Sequence, residues 1–565
     1  SSSSSSSSFK VHSSKFGAMK EAAREKCISF LPRWLIASPS SSGSPSSSEE
    51  TRSSLLRLLS SLLDESVDEK TNDALKRRCA DGVRSIERHL PMFAKAFGEE
   101  VDDDDDDALL RKLVELQHAK DFVWEELHTG DWKDVEEKWR EGEGVTVFAY
   151  CRCVMRYARG RLKRGEIMVN YVEGVLRNVI KELDVGVLLA GDVGGGKDLA
   201  RVAEEVSERL KEVMKLNMSG TKETKSVLDW RFEYDHVENV SEEDKDVKED
   251  DKKRKRDERE EKEEKNVLFP ILEKDKGGRP PLKVPAFKEL LSLEKFLTDF
   301  YVPMKPCVIR RFCTHWPAYE KWKDPLYFLD NFGARAVPVE FGNSYSNDNW
   351  RIKVVTFEEF LSKHMTDDES GAYLAQQTLA DQFPKLLEDI LEPDYVHGCI
   401  REEEGGRESN KKKEHGGSCV AKNFWIGPKN TISPPHTDPR DNLFVQICGA
   451  KCIRLWKPLH TDTAADDDGV DDNNENNSNK ENKSGIILTT TMYPYTPSSL
   501  ENNKLTNTSK AEDISLSSCP RKFPKLYRRP FYDVHLNAGD MLFIPRGWWH
   551  FVKSLSNSIS VSYWW

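Results

Sequence analysis

The sequence predicts an α+β protein, with a helical N-terminal region followed by a strand-rich C-terminal one. Three observations carry this. Residues 54–63 and 145–157 space their apolar side chains as helices do. Asn442–Cys448 and the alternating run that ends at Trp456 read as consecutive strands joined by a turn at Gly449. A further apolar run over residues 540–552 is interrupted by Pro545-Arg546-Gly547.

A chain of 565 residues has room for about two to four domains. Its mean hydropathy of −0.66 and 32% charged residues require that parts of it stay unfolded. The net charge of −12 argues against sequence-specific or wholesale nucleic-acid binding and leaves open an affinity for basic protein tails. The 11 cysteines form no zinc-like pair of pairs, so they read as reduced thiols. No uncharged run reaches membrane-spanning length, and no membrane partner is expected.

Residues 1–50 are Ser-rich and read as a disordered leader whose composition also resembles an organelle transit peptide, with Met19 one candidate start. Residues 51–240 read as an α-helical interaction domain anchored by Trp124, Trp132 and Trp139, with the six-Asp run 102–107 as a loop. Within it, Gly191-Asp-Val-Gly-Gly-Gly196-Lys197-Asp198 satisfies most of a phosphate-binding loop. Asp198, however, stands where a Mg²⁺-ligating hydroxyl is needed and would repel phosphate, so an inter-helix loop is expected. Residues 241–269 are a charged linker containing Lys252-Lys-Arg-Lys-Arg256, a nuclear-localisation type of cluster. The C-terminal domain spans 270–565 and carries an Asp/Asn-rich disordered insertion, 461–488.

The chemistry concentrates in Thr431-Ile-Ser-Pro-Pro-His436-Thr-Asp438 and in His550. On a strand, positions i and i+2 share a face, so His436 and Asp438 point the same way. With His550 they make a two-imidazole, one-carboxylate triad, the arrangement that holds non-haem Fe(II) with positions left open for O2 chemistry. Lys451 lies on the next strand but one. A lysine pointing into a barrel is costly unless it meets an anion, which a dicarboxylic cosubstrate would supply.

Further landmarks follow one another in order: Phe300-Tyr-Val-Pro-Met-Lys-Pro-Cys-Val-Ile309, His315-Trp-Pro317, Val337-Pro-Val-Glu340, Tyr373-Leu-Ala-Gln376, Asn423-Phe-Trp425, Thr431-Ile-Ser433 and Val561-Ser-Tyr-Trp-Trp565. Together they make residues 280–565 resemble the Jumonji-C (JmjC) 2-oxoglutarate dioxygenases. The resemblance is strongest to the subfamily named both lysine-specific demethylase 8 and protein arginyl hydroxylase. It implies a double-stranded β-helix, a jelly roll of the cupin type.

By the same resemblance, His436, Asp438 and His550 correspond to the Fe(II) ligands and Lys451 to the residue that pairs with the distal carboxylate of 2-oxoglutarate. Tyr373, Ser433 and Asn442 correspond to its hydrogen-bonding partners, and Trp425 and Trp564 to aromatic walls. Glu340, Tyr345 and Trp350 are candidates for receiving a cationic substrate side chain, because a carboxylate and aromatic rings suit one. The implied activity is oxygenation of basic side chains with O2 and 2-oxoglutarate as cosubstrates. It would act as histone lysine demethylase or arginyl hydroxylase in chromatin and transcription regulation, on a histone tail or another Arg- or Lys-bearing protein. Residence would be in the nucleus, with the cytoplasm a second compartment. The competing reading is a catalytically silent JmjC scaffold working through its helical domain.

Overall fold

The computed structural model describes residues 49–64, 106–129, 135–167, 169–191, 195–218, 269, 280–342, 350–367, 370–399, 420–458, 492, 494–495 and 505–565. Most of the Ser-rich leader, nearly all of the charged linker with its basic cluster, the insertion 461–488, Trp132 and Tyr345 therefore lie outside the described residues.

Among the described residues five helices come first: α1 (Glu49–Asp64), α2 (Asp106–Leu127), α3 (Glu137–Lys163), α4 (Val169–Ala190) and α5 (Gly196–Met218). Each turns an apolar stripe inward. Leu55 and Leu59 of α1 meet Leu109, Leu113 and Leu116 of α2, Val147 and Val154 of α3, Val172, Val179 and Leu183 of α4, and Val206 and Val213 of α5 in one core. Of the Gly191–Asp198 segment, read as an inter-helix loop, Gly196, Lys197 and Asp198 instead form the first turn of α5. Val185–Ala190 before it is helical, whereas a phosphate-binding loop follows a strand.

The strands follow: β1 (Ala286–Phe287), β2 (Cys307–Ile309), β3 (Ala336–Phe341), β4 (Arg351–Thr356), β5 (Ala372–Gln377), β6 (Ala421–Gly427), β7 (Ile432–Thr437), β8 (Asn442–Cys448), β9 (Lys451–Trp456), β10 (Pro494–Tyr495), β11 (Leu505–Ser509), β12 (Tyr532–Leu536), β13 (Met541–Ile544), β14 (Trp549–Ser554) and β15 (Ser558–Trp564). They form a nine-stranded sheet, β1-β2-β13-β8-β15-β6-β5-β3-β4, and a six-stranded sheet, β10-β11-β7-β14-β9-β12. The class is α+β, a helical region followed by a β-sheet domain.

Strand alternation sorts the side chains. Leu443, Val445 and Ile447 of β8, with Ile559, Val561 and Tyr563 of β15, join a core on the outer face of the larger sheet. Cys452 and Trp456 of β9, with Phe551 of β14, join a second core outside the smaller sheet. Between the sheets, Val308, Phe444, Leu542 and Ile544 meet Ile453, Leu455, Val534, Leu536 and Val552. β8 and β9 are therefore buried on both faces, as their unbroken apolar character requires. The turn between them needs a glycine. Gly449 has φ +71, and a Cβ there would come 2.1 Å from the Asn557 carbonyl oxygen. The described cysteines are all buried, and none of them forms a disulfide.

One buried ion pair ties the helices to the sheets. Asp184 of α4 accepts two hydrogen bonds from Arg335, at 2.6 Å from Nη2 and 3.0 Å from Nε, and another from the Ala336 backbone N–H at 2.7 Å. Arg335 also donates to the Gln382 carbonyl at 2.8 Å and lies 4.8 Å from the centre of the Phe383 ring. Both charges are fully covered, so each depends on the other. Asp184→Ala strands a buried guanidinium and should cost about 3–5 kcal/mol in urea unfolding. The double change Asp184→Leu/Arg335→Leu should cost clearly less than the two single changes added together.

Candidate metal and cosubstrate site

β7 and β14 are neighbours in the smaller sheet, and their register sets His436 directly opposite His550. The rings stand 4.2 Å apart between centroids. Strand β7 ends at Thr437, so Asp438 lies just beyond it rather than on it. It is held there because its carbonyl accepts the Gly547 N–H at 3.0 Å, which uses the Pro-Arg-Gly break in the second run. One ligand atom from each of His436, Asp438 and His550 can be chosen so that all lie within 4.8 Å of one another.

The imidazole tautomers follow from their partners. Nδ1 of His436 lies 2.7 Å from the Pro434 carbonyl, and Nδ1 of His550 lies 3.1 Å from that of Trp548. A carbonyl only accepts, so both Nδ1 atoms carry hydrogen and both Nε2 atoms face inward. Those Nε2 atoms stand 3.7 and 3.5 Å from the Asp438 carboxylate oxygens. Burial, and then the adjacent His436, lower the His550 pKa to about 4, which keeps it neutral and able to donate a lone pair. This donor set fits a divalent cation of the Fe(II) type.

The triad lines a cleft with Tyr373, Trp425, Ser433, Asn442, Phe444, Val552 and Ser562. Lys451, on β9, is fully buried. Its ammonium donates to the Tyr373 hydroxyl at 3.0 Å and lies 5.4 and 5.5 Å from the Tyr373 and Phe444 ring centres. Among the described residues no carboxylate pairs with it, and burial lowers its pKa to about 7. Tyr373 is hydrogen-bonded in turn to Ser433. The Asn442 side-chain oxygen is buried with no partner among the described residues. The cation and the unfilled acceptor beside the triad are the groups that a carboxylate and a proton donor would complete.

The other candidates are more spread out. Trp425 reaches the cleft and donates from Nε1 to the Ser562 hydroxyl at 3.1 Å. Trp564 sits opposite Asn442 in register, but it is not among the lining residues and its Nε1 is buried without a partner. Glu340 is opposite Tyr373 in register and accepts from Trp350 Nε1 at 3.0 Å, while burial raises its pKa. Sequence reasoning missed Phe444, Val552 and Ser562. Each stands two positions from a residue it had singled out, namely Asn442, His550 and Trp564, so period-two alternation could have found them.

Comparison with known proteins agrees with this architecture. Residues 293–565 match the family model described as a cupin-like domain. The chain is similar to "Lysine-specific demethylase JMJ30" of Arabidopsis thaliana, 29% identical over 450 residues that cover 79% of this chain and 84% of the relative. It is also similar to "Lysine-specific demethylase 8" of Xenopus tropicalis, 28% identical over 463 residues that cover 79% and 86%. The human "Bifunctional peptidase and (3S)-lysyl hydroxylase JMJD7" is 23% identical over 307 residues, covering 50% of this chain and 84% of that one. The C-terminal region is thus a cupin-like domain of the JmjC type, with relatives named as lysine-specific demethylases.

The lone buried lysine has a consequence for stability. In the unfolded chain Lys451 stays protonated up to about pH 10.5, and in the folded chain only up to about 7. The unfolded state therefore binds the extra proton between those values, and this residue's contribution to stability rises with pH across that window. Lys451→Met should raise stability at pH 7 by about 1–4 kcal/mol and flatten the rise, as followed by thermal unfolding from pH 7 to 9.

Proposed function

We propose that this protein is an Fe(II)- and 2-oxoglutarate-dependent oxygenase acting on basic side chains of proteins. The observation that carries it is the inward-facing His436, Asp438 and His550 cluster beside a buried lysine with no carboxylate of its own. Fe(II) bound there, with 2-oxoglutarate and O2, supplies the oxidant that inserts oxygen into a C–H bond, leaving succinate and CO2.

The chain's own residues bind, orient and exclude water. His436 and His550 would hold the metal through Nε2 and Asp438 through its carboxylate, all from one side. Lys451 and the Tyr373 hydroxyl would receive the distal carboxylate of 2-oxoglutarate as a charge-assisted pair, with Ser433 and Asn442 completing its hydrogen bonds. Phe444, Val552 and Trp425 would keep bulk water from the reacting centre. At the mouth, Glu340 would meet the cationic substrate side chain, its rotamer held by Trp350.

On a methylated lysine, hydroxylation of the N-methyl carbon releases formaldehyde and demethylates. On an arginine, the alcohol is stable. Relatives named as lysine-specific demethylases and as a lysyl hydroxylase support this class of reaction on protein substrates. A histone tail, a role in chromatin and a nuclear location belong to the same proposal.

His436→Ala and His550→Ala should abolish succinate formation in the presence of a basic protein substrate while leaving the unfolding temperature nearly unchanged. Wild-type turnover in either variant would refute the proposal. Lys451→Ala should raise the KM for 2-oxoglutarate roughly tenfold to a hundredfold, the worth of a charge-assisted hydrogen bond. Mass spectrometry of substrate peptides distinguishes the products: a gain of one oxygen for a stable alcohol, the loss of one methylene unit for each demethylation.

A further inference from the structure

Helix α2 has two faces. Leu109, Leu113, Leu116, Ala119, Val123 and Leu127 are fully buried on one. Gln117, Lys120, Asp121 and Trp124, at i, i+3, i+4 and i+7, form a second, polar stripe. That stripe faces Tyr150, Cys151 and Val154 of α3 and Asn178, Val179 and Glu182 of α4 across a cavity of about 350 Å³. Such a volume falls within the range of small-ligand sites.

The charges of this cavity do not balance. Lys120 pairs with Glu182 and lies 5.0 Å from the centre of the Tyr150 ring. Among the described residues Asp121 accepts only from the neutral Gln117 amide, at 2.8 Å. Glu143, seven residues before Tyr150 and so on the same side of α3, is 1% exposed, and its Oε2 has no hydrogen-bond partner among the described residues. The charged groups acting on it are Lys120, Glu182 and Asp121, which all line the cavity, and burial raises its pKa to about 7. Two carboxylates, Asp121 and Glu182, and one ammonium thus line the cavity, Glu143 lies behind its wall, and Trp124, with His128 stacked on one face, is 49% exposed.

We propose that the cavity between α2, α3 and α4 binds an organic cation, a guanidinium or alkylammonium group. An anion would meet a surplus of carboxylates. An apolar ligand would leave the Asp121 charge without a cationic partner. A cation is paired by Asp121 and stacks on Trp124. Lys120, held against Tyr150 and Glu182, shows within the protein how the site takes an ammonium. The site lies on the helices and shares no residue with the cleft between the sheets, so it does not depend on the oxygenase reading.

The test is calorimetric titration of the full chain carrying Glu340→Gln, which removes the carboxylate proposed to hold a cation at the other site. The probes are N-acetylarginine methylamide, its neutral citrulline counterpart and a ten-residue Arg/Lys peptide. The cationic probes should bind and the citrulline compound should not. Trp124→Ala and Asp121→Asn should each weaken binding roughly fivefold or more, about 1 kcal/mol. Both side chains are exposed, so helical circular dichroism should be unchanged. Equal affinity for amide and peptide would identify a free small cation as the ligand, and binding of the peptide alone would identify a protein side chain. Failure of both cationic probes to bind, or affinities indifferent to both substitutions, would overturn the proposal.

Discussion

A lysine ammonium with no carboxylate beside it among the described residues, enclosed between two sheets, is the feature around which the C-terminal domain is organised. Enclosing Lys451 works against folding, because a desolvated cation is unfavourable unless an anion arrives. The barrel can carry that cost because apolar cores are packed outside both sheets and a third fills the space between them beside the cleft. The same alternation that buries Leu443 and Val445 outward turns Asn442 and Phe444 inward, so stability and site are built from opposite faces of the same strands.

The triad depends on register in the same way. Pairing of β7 with β14 sets the two imidazoles opposite each other at one ladder position, and a one-residue slip would send one of them to the outer core. Asp438 escapes the strand but is clamped by Gly547, so the Pro-Arg-Gly interruption places the carboxylate as well as bending the chain. On the other side of the domain, the Asp184–Arg335 pair fixes the start of β3, the strand that carries Glu340. The helices thereby touch the wall where a substrate side chain would enter.

The sequence revealed the helical and strand-rich regions, the His-x-Asp spacing, the distant His550 and the inward Lys451, because these depend on local periodicity and short motifs. It did not reveal what depends on distant pairing. Asp184 and Arg335 are 151 residues apart, and nothing in either neighbourhood names the other. Phe444, Val552 and Ser562 become cleft residues only once the strand faces are assigned. Glu143 reads as an ordinary helical glutamate until α2 and α4 close over it. Trp564 has the residue type of a cleft wall, yet it is not among the residues that line the cleft.

The most direct measurement is anaerobic visible absorption on adding 2-oxoglutarate to the Fe(II)-loaded protein, where chelation of the metal by a 2-keto acid produces a charge-transfer band. If the cleft is the metal and cosubstrate site, the band appears in the wild-type chain, is absent in Asp438→Ala, and in Lys451→Met requires far more 2-oxoglutarate. No band at saturating Fe(II) and 2-oxoglutarate, or a band of wild-type strength in Asp438→Ala, would contradict it.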